Sequence, residues 1–412
     1  MAVGVNSTNS GLAFTNYMKD ISETLNNQSK GRLLCKKSKP WTGSHLEWRV
    51  HTSRNGGIGP IDDGGQFQIP SKEGFVTAKA YRRALSGKVQ ITDMAMAAIK
   101  DDKNAAKGVV AATLEGCMDS MLKLENGLFF RDGTGTIAHV VADYATTTLE
   151  VDDSRMIWES AQYDLYTTGD VFRSTLPAVT SIASAPDAVA TDDAVVTLSA
   201  NADANMVIGD HIKWKGATSS NSVTGLKALI DDTAATFQNV AVGTYPKYSA
   251  LVLANGGTAR ELTPALFRSA LAGLKQKCGN ESPSDGITCL ASNWDAISFE
   301  EMYEGDLRLA PSDKVMGLAV TTFQSALGKV RLVTDCDMLM GTIFLADFSQ
   351  IYRGVQLPLD WRRDGKSGPI FKRNDESAVV TATMLEIYDH YIMDRNTSAR
   401  IDDLSNARVT VY

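Results

Sequence analysis

The stretch from about Asn104 to Phe130, NAAKGVVAATLEGCMDSMLKLENGLFF, constrains the fold most. No proline interrupts it. Ala106, Val109, Val110, Thr113, Leu114, Cys117, Met118, Met121, Leu122, Glu125 and Phe129 recur at steps of three and four. That spacing puts an apolar stripe on one face of a helix. At ~1.5 Å per residue the helix is about 40 Å long, a full domain's width. Gly108 and Gly116 each cost about 1 kcal/mol against alanine, so packing must hold the helix. Small residues on the stripe predict a close neighbouring backbone. Arg131-Asp132-Gly133-Thr134-Gly135 supplies a glycine stop. The flanking segments are β-rich and carry no catalytic signature. A strut between sheets reads as a structural part, although a buried helix of an enzyme fits this stretch equally well.

A chain of 412 residues exceeds what one core usually holds, so two or three domains are expected. The formal net charge of -7 argues against indiscriminate nucleic-acid binding over the whole surface, but leaves room for a local basic patch. The first residues have no secretory pattern, and no run of about 18 apolar residues exists to span a membrane. The cysteines, Cys35, Cys117, Cys278, Cys289 and Cys336, are scattered and form no CxxC pair. They read as free thiols made in a reducing cytoplasm.

Residues 1–40 read as an arm. Phe14, Tyr17, Met18, Ile21 and Leu25 form a short apolar helical stripe that needs a surface to lie on. The basic run Lys30, Arg32, Lys36, Lys37 and Lys39 is either a solvated linker or a contact for phosphates or an acidic neighbour. Residues 41–92 read as a long β-hairpin. Leu46, Trp48 and Val50 alternate on one strand, and Phe75, Val76, Ala78, Ala80 and Tyr81 return. Its tip, Arg54 to Gly65, is too glycine-rich to form a core of its own.

Val89–Thr92, Ile137–Val151 and Met156–Tyr166 are predicted strands. From 169 to 243 the composition shifts to short alternations. Val195–Leu198, Met206–Ile208 and His211–Trp214 suggest an inserted β-barrel or sandwich. Thr263-Pro264 caps a helix that Gly279 closes. Ile287–Ala291 is a strand, and Ser292 caps a helix from Asn293 to about Tyr303. Val315–Gln324 pairs with Lys329–Thr334. Ile343–Asp347, Ala378–Ile392 and Ala407–Tyr412 complete the strands.

Signatures of chemistry are missing from the sequence. The histidines His45, His51, His139, His211 and His390 never approach metal-ligand spacing. Gly133-Thr134-Gly135-Thr136-Ile137-Ala138 matches GxGxxA, but it follows a helix and precedes a strand, the reverse of a phosphate-binding turn. Asp335 and Asp337, flanking Cys336, read as an acidic turn rather than an acid–base pair or cation site. No catalytic, cofactor-binding or metal-binding residue is assigned, no cofactor is expected, and the chain is expected not to be an enzyme.

The order of parts resembles the major capsid proteins of tailed bacteriophages, with their Hong Kong ninety-seven-type fold. An amphipathic arm and a glycine-tipped hairpin precede a long helix ending LKLENGLFFRDGTG. The segments Gly225–Leu274, CLASNWDAI (Cys289–Ile297) and VTDCDMLMGTIFLADFSQI (Val333–Ile351) look the same way. The resemblance covers most of the chain apart from about 169–243. It implies an α+β fold in six parts. These are an arm (1–40), an extended loop (41–92), a spine helix with peripheral domain (93–168), an inserted β domain (169–243), an apical domain (244–374) and a C-terminal return to the peripheral domain (375–412). It implies that the loop tip, Arg54, Asn55, Gly56, Gly57, Ile58 and Asp62, and the arm residues Phe14, Tyr17, Met18 and Ile21 contact other subunits. It places Arg32, Lys36, Lys37 and Lys39 toward packaged DNA. The short arm speaks for a separate scaffold protein rather than a cleaved leader.

The expected function is a self-assembling icosahedral head shell of hexamers and pentamers, built in the bacterial host cytoplasm and ending in the virion. The expected partners are further copies of the chain, scaffolding, portal and cement proteins, and DNA, with no membrane. The alternatives are an encapsulin-like compartment, or a carbohydrate-binding structural or tail component.

Overall fold

The structure, a computed structural model, describes residues 30–38, 41–69, 71–92, 103–143, 147–184, 194–203, 205–233, 235–279, 286–303, 313–315, 318–325, 328–363, 370–373 and 379–405. Phe14, Tyr17, Met18, Ile21, Lys39 and the predicted strand Ala407–Tyr412 lie outside these residues.

The long helix runs Lys103–Phe129. Leu114, Met118, Met121 and Leu122 on its inner face are buried with Val89, Leu359, Trp361, Ala382 and Met384. Burial of each such side chain contributes about 1.5–3 kcal/mol, which outweighs the cost of the glycines. Gly116 does not mark a close backbone, since a Cβ there would meet open space. The close approach comes at the other end of the helix. A Cβ on Gly225 would fall 2.0 Å from the Arg131 carbonyl oxygen and 2.6 Å from that of Leu128.

The strand Val379–Ile392 is the hub. One edge pairs antiparallel with Arg83–Thr92, from Val379↔Thr92 to Tyr388↔Arg83. The other edge pairs with Ile351–Trp361 and with Phe371–Arg373. Lys36–Lys37 joins the outer side of Ile351–Trp361 in parallel. A second, seven-stranded sheet has the order Leu251–Leu253, Ser398–Ile401, Ile343–Ala346, Ile287–Ser292, Gly328–Asp335, Leu318–Ser325, Asp313–Val315. The helices Pro264–Cys278 and Asn293–Tyr303 contribute Phe267, Leu271, Leu274, Ala296 and Phe299 to its core. Both caps are formed: Leu266 N–H donates to Thr263 Oγ1 at 3.2 Å, and Asp295 N–H donates to Ser292 Oγ at 3.1 Å. Strand pairing shifts the expected boundaries. Ile351–Trp361 already belongs to the hub sheet, whereas Ser398–Ile401 returns to the second sheet.

A third, seven-stranded sheet has the order Phe172–Thr175, Tyr163–Tyr166, His211–Trp214, Thr136–Asp143, Thr148–Val151, Ala194–Leu198, Val179–Ser184. This β unit draws strands from both sides of residue 169. Ile137, Val140, Leu149 and Val151 share its core with Leu165, Val196 and Ile212. Two predicted strands differ. Met156–Ala161 is turn-rich, and strand begins only at Tyr163. Met206–Ile208 is a turn because the Asp210 carboxylate accepts the Val207 N–H at 3.0 Å and Met206 N–H donates to the Asp203 carbonyl.

Where the chain leaves the β unit, the hub strand grips it. Thr224 N–H donates to Asp389 Oδ1 at 2.8 Å, its hydroxyl to Oδ2 at 3.2 Å, and His390 Nδ1 lies 3.0 Å from its carbonyl oxygen. The following short helix, Leu226–Leu229, buries Leu226 and Leu229 against Phe129, Phe130, Leu290, Phe344, Ile351 and Ile392. Its free carbonyls are met by arginines. Arg395 Nε donates to Leu229 O at 2.8 Å, and Arg400 Nη1 donates to Lys227 O at 2.7 Å and Ile230 O at 2.8 Å. This junction fastens all three sheets to the end of the long helix.

Gly225→Ala is expected to destabilise the subunit by about 3 kcal/mol, the upper end for overpacking, read as a lower denaturation midpoint. Loss of water around Asp389 pushes its carboxyl up to about 7, with the Thr224 and His390 bonds and Arg83 partly opposing this. A carboxyl raised in the folded state favours folding while it holds its proton, so stability falls as pH rises from about 4 to about 7. Asp389→Asn is expected to flatten that slope in denaturation curves taken across this window.

Candidate functional site

The hairpin has two parts with different surroundings. Its ladder pairs His45–Ser53 with Gly74–Tyr81, including Leu46↔Ala80, Trp48↔Ala78 and Val50↔Val76. This ladder lies on the chain's own body. Val50 and Ala78 are buried with Val240 and Tyr248. The Trp48 and Tyr391 rings lie 5.0 Å apart, and Lys79 N–H donates to the Gln238 carbonyl at 2.8 Å. The burial arises because Trp48, Val50 and Ala78 all point to one face of the ribbon.

Beyond the ladder the tip extends into solvent. Arg54, Gly56, Ile58 and Asp62 are exposed, and Asn55 and Gly57 are half-buried. Asn55 Oδ1 accepts Gly57 N–H at 2.9 Å and Ser71 N–H at 3.2 Å, which closes the base of the tip. Past it Ile58 is 84% exposed, Phe67 91% and Ile69 87%. Isolated apolar residues at a surface are ordinary, but a row of them on one projecting loop marks an interaction surface.

The basic run divides. Lys36 and Lys37 are exposed, with Lys36 Nζ 5.4 Å from the centroid of the Tyr352 ring. Arg32 is corrected: it faces inward, 3.2 Å from Glu386 and 3.6 Å from Glu125. Arg353 completes the group, 2.8 Å from Glu125, paired with Glu386 and 4.4 Å from the Tyr388 ring centroid. Two guanidinium and two carboxylate groups thus neutralise one another in the interior, the condition under which buried charge is tolerated. They tie the arm's root, through the helix Lys30–Leu34, to the long helix and to the hub strand. Glu125 was legible as a charged residue on an apolar stripe. Glu386 and Arg353 had no such signal, because their partners are remote in sequence. Beside them, burial raises the Cys35 thiol pKa, which leaves it inert.

The remaining candidates from sequence take structural places. Gly133 and Gly135 have φ of +80° and +84° and lie between the helix and the strand Thr136–Asp143, with Thr134 N–H bonded to Asp132. Asp335 and Asp337 flank a tight turn. Asp335 accepts Asp337 N–H at 2.9 Å, and the Asn126 amide donates to both carboxylates at 3.2 and 2.9 Å. With Cys336 they are the group among the described residues whose ligand atoms converge, within 4.8 Å, and Asn126 already occupies them. Among the described residues no helix is long and apolar enough to cross a membrane.

A family model described as the SU10 major capsid protein matches residues 194–377. No curated protein matches the chain. Among solved structures, the capsid asymmetric unit of cyanophage A-1(L) is similar at TM-score 0.52 and 10% identity, over 90% of this chain and 92% of that one. The capsid of a native GTA particle aligns at 0.47 and 11% identity, over 91% of each chain. The holo-SrpI encapsulin complex from Synechococcus elongatus aligns at 0.44 and 12%, over 91% and 87%. The chain thus shares the cyanophage capsid subunit's fold through nine-tenths of its length, the Hong Kong ninety-seven type of tailed-phage major capsid proteins, and its residues 194–377 are similar to the SU10 major capsid protein family.

Proposed function

We propose that this subunit builds an icosahedral head around the packaged genome through hexamers and pentamers, without catalysing a reaction. The supporting observation is the hairpin tip, an apolar loop in water on a ladder fixed to the body. Neighbouring copies cover it in this reading, as they cover the N-terminal arm residues Phe14, Tyr17, Met18 and Ile21. Heterologous contacts of this kind close into rings when the rotation permits. Burying Ile58, Phe67 and Ile69 adds roughly 5–9 kcal/mol per tip.

Lys36 and Lys37, with Lys39, face the packaged DNA and contact phosphates without sequence preference. Arg32 anchors the arm instead. The β unit decorates the outer surface, and scaffolding, portal and cement proteins complete assembly in the host cytoplasm. The parts divide as arm, extended loop, peripheral and apical units, and inserted β unit.

Deleting Arg54 to Gly65 is expected to leave a folded subunit that no longer forms rings or shells in negative-stain micrographs. Normal particles from that deletion would remove the tip from the mechanism. Arg32→Ala leaves Glu125 and Glu386 to share Arg353, so it is expected to cost about 3 kcal/mol in denaturant unfolding. A change below about 0.5 kcal/mol would show that the arm root is not held this way.

A further inference from the structure

A cleft of about 610 Å³ opens where the hairpin tip leaves the body. It lies between Arg54, the turn at Tyr245–Tyr248, the C-terminal end of the helix Pro264–Cys278, and Arg395. Four cations border it, Arg54, Lys247, Lys277 and Arg395, against one carboxylate, Asp394.

These charges are poorly matched within the chain. Arg54 and Lys247 are exposed and have no ion-pair partner among the described residues. Lys277 donates to the Ala250 carbonyl at 2.6 Å and to Ser249 Oγ at 3.2 Å, which are neutral partners. Loss of water, with Arg395 nearby, holds its amine below the ordinary range, and Asp232 only partly offsets this. Arg395 is fully buried, its Nε and Nη2 are committed to carbonyls, and its Nη1 has no hydrogen-bond partner among the described residues. Its guanidinium lies 4.1 Å from the Phe237 ring centroid behind the cleft wall, so it adds positive potential while the exposed Arg54, Lys247 and Lys277 are the groups a docking carboxylate can reach.

The complement of this cleft is at the far end of the same hairpin. Asp62 and Asp63 are adjacent, exposed and without ion pairs among the described residues, between the exposed Ile58, Ile61 and Phe67. The half-buried Tyr245 stands beside these cations, so the cleft offers an apolar as well as a cationic wall. The tip beyond Arg54 is not part of the cleft lining in its own chain.

We propose that this cleft receives the Asp62–Asp63 tip of a second copy of the chain. The proposal rests on the shell reading above and names the surface that covers the tip. The carboxylates meet the exposed cations while the flanking isoleucines pack on Tyr245. Complementary charge then fixes which copy and which register can dock.

Cys278 lines the cleft and serves as a native reporter. The experiment oxidises assembled particles carrying Asp62→Cys and Cys336→Ser and resolves them on a non-reducing gel. A ladder of covalent multimers is expected, lost when Cys278→Ser is added. Particles visible by microscopy that stay uncross-linked overturn the proposal and leave the shell reading standing. So does a cross-link confined to single chains. Absence of wild-type particles defeats the shell reading itself. Should the cysteine variant not assemble, charge exchange decides. Asp62→Lys with Asp63→Lys, and separately Lys247→Glu with Lys277→Glu, are each expected to lower particle yield about tenfold, equivalent to about 1.4 kcal/mol. Combining them is expected to recover it, and no recovery overturns the proposal.

Discussion

Ile58, Phe67 and Ile69 sit on a loop that no described residue of the chain covers, while the ladder that carries the loop is held on the body by Val50, Ala78 and Tyr248. Water around such a loop is unfavourable, and burying it is worth about 25 cal/mol for each Å². A rigid base gives that gain a direction. Because the base is held, part of the entropy of positioning the tip is met within the subunit. The rest of the fold holds the base still.

That rigidity comes from the hub strand Val379–Ile392. It pairs along both edges, supplies Glu386 to the buried charge cluster, and uses Asp389 and His390 to grip Thr224. The long helix lies across it, and the arm's root enters the same cluster through Arg32. The aromatic end of the helix, Phe129 and Phe130, shares a core with residues from the second sheet. Hairpin, arm root and both sheets are therefore coupled through one junction. A contact made at one end has a continuous packed path to the others.

Sequence reading recovered what depends on local chemistry. The long helix, its glycine stop, the caps at Thr263 and Ser292, and the two strands of the hairpin all follow from spacing and turn residues close together in the chain. It misplaced what depends on partners far away. The β unit gained Thr136–Asp143 and Thr148–Val151 because strand pairing, not composition, sets its limits. Met206–Ile208 looked like a strand until the carboxylate of Asp210 took its backbone N–H. Arg32 was placed toward packaged DNA because its partners Glu125 and Glu386 are about a hundred and several hundred residues away. Exposure of the tip was legible from its glycines, whereas the burial of the ladder needed Val240 and Tyr248 from a distant segment.

Covering of the tip by another subunit is the central claim, and amide hydrogen exchange tests it directly. Exchange from Asn55 to Ile69 is compared between free subunits and assembled particles. The account predicts slowing by at least about a hundredfold in particles, equivalent to about 2.7 kcal/mol of protection. Exchange at the same rate in both states would contradict it.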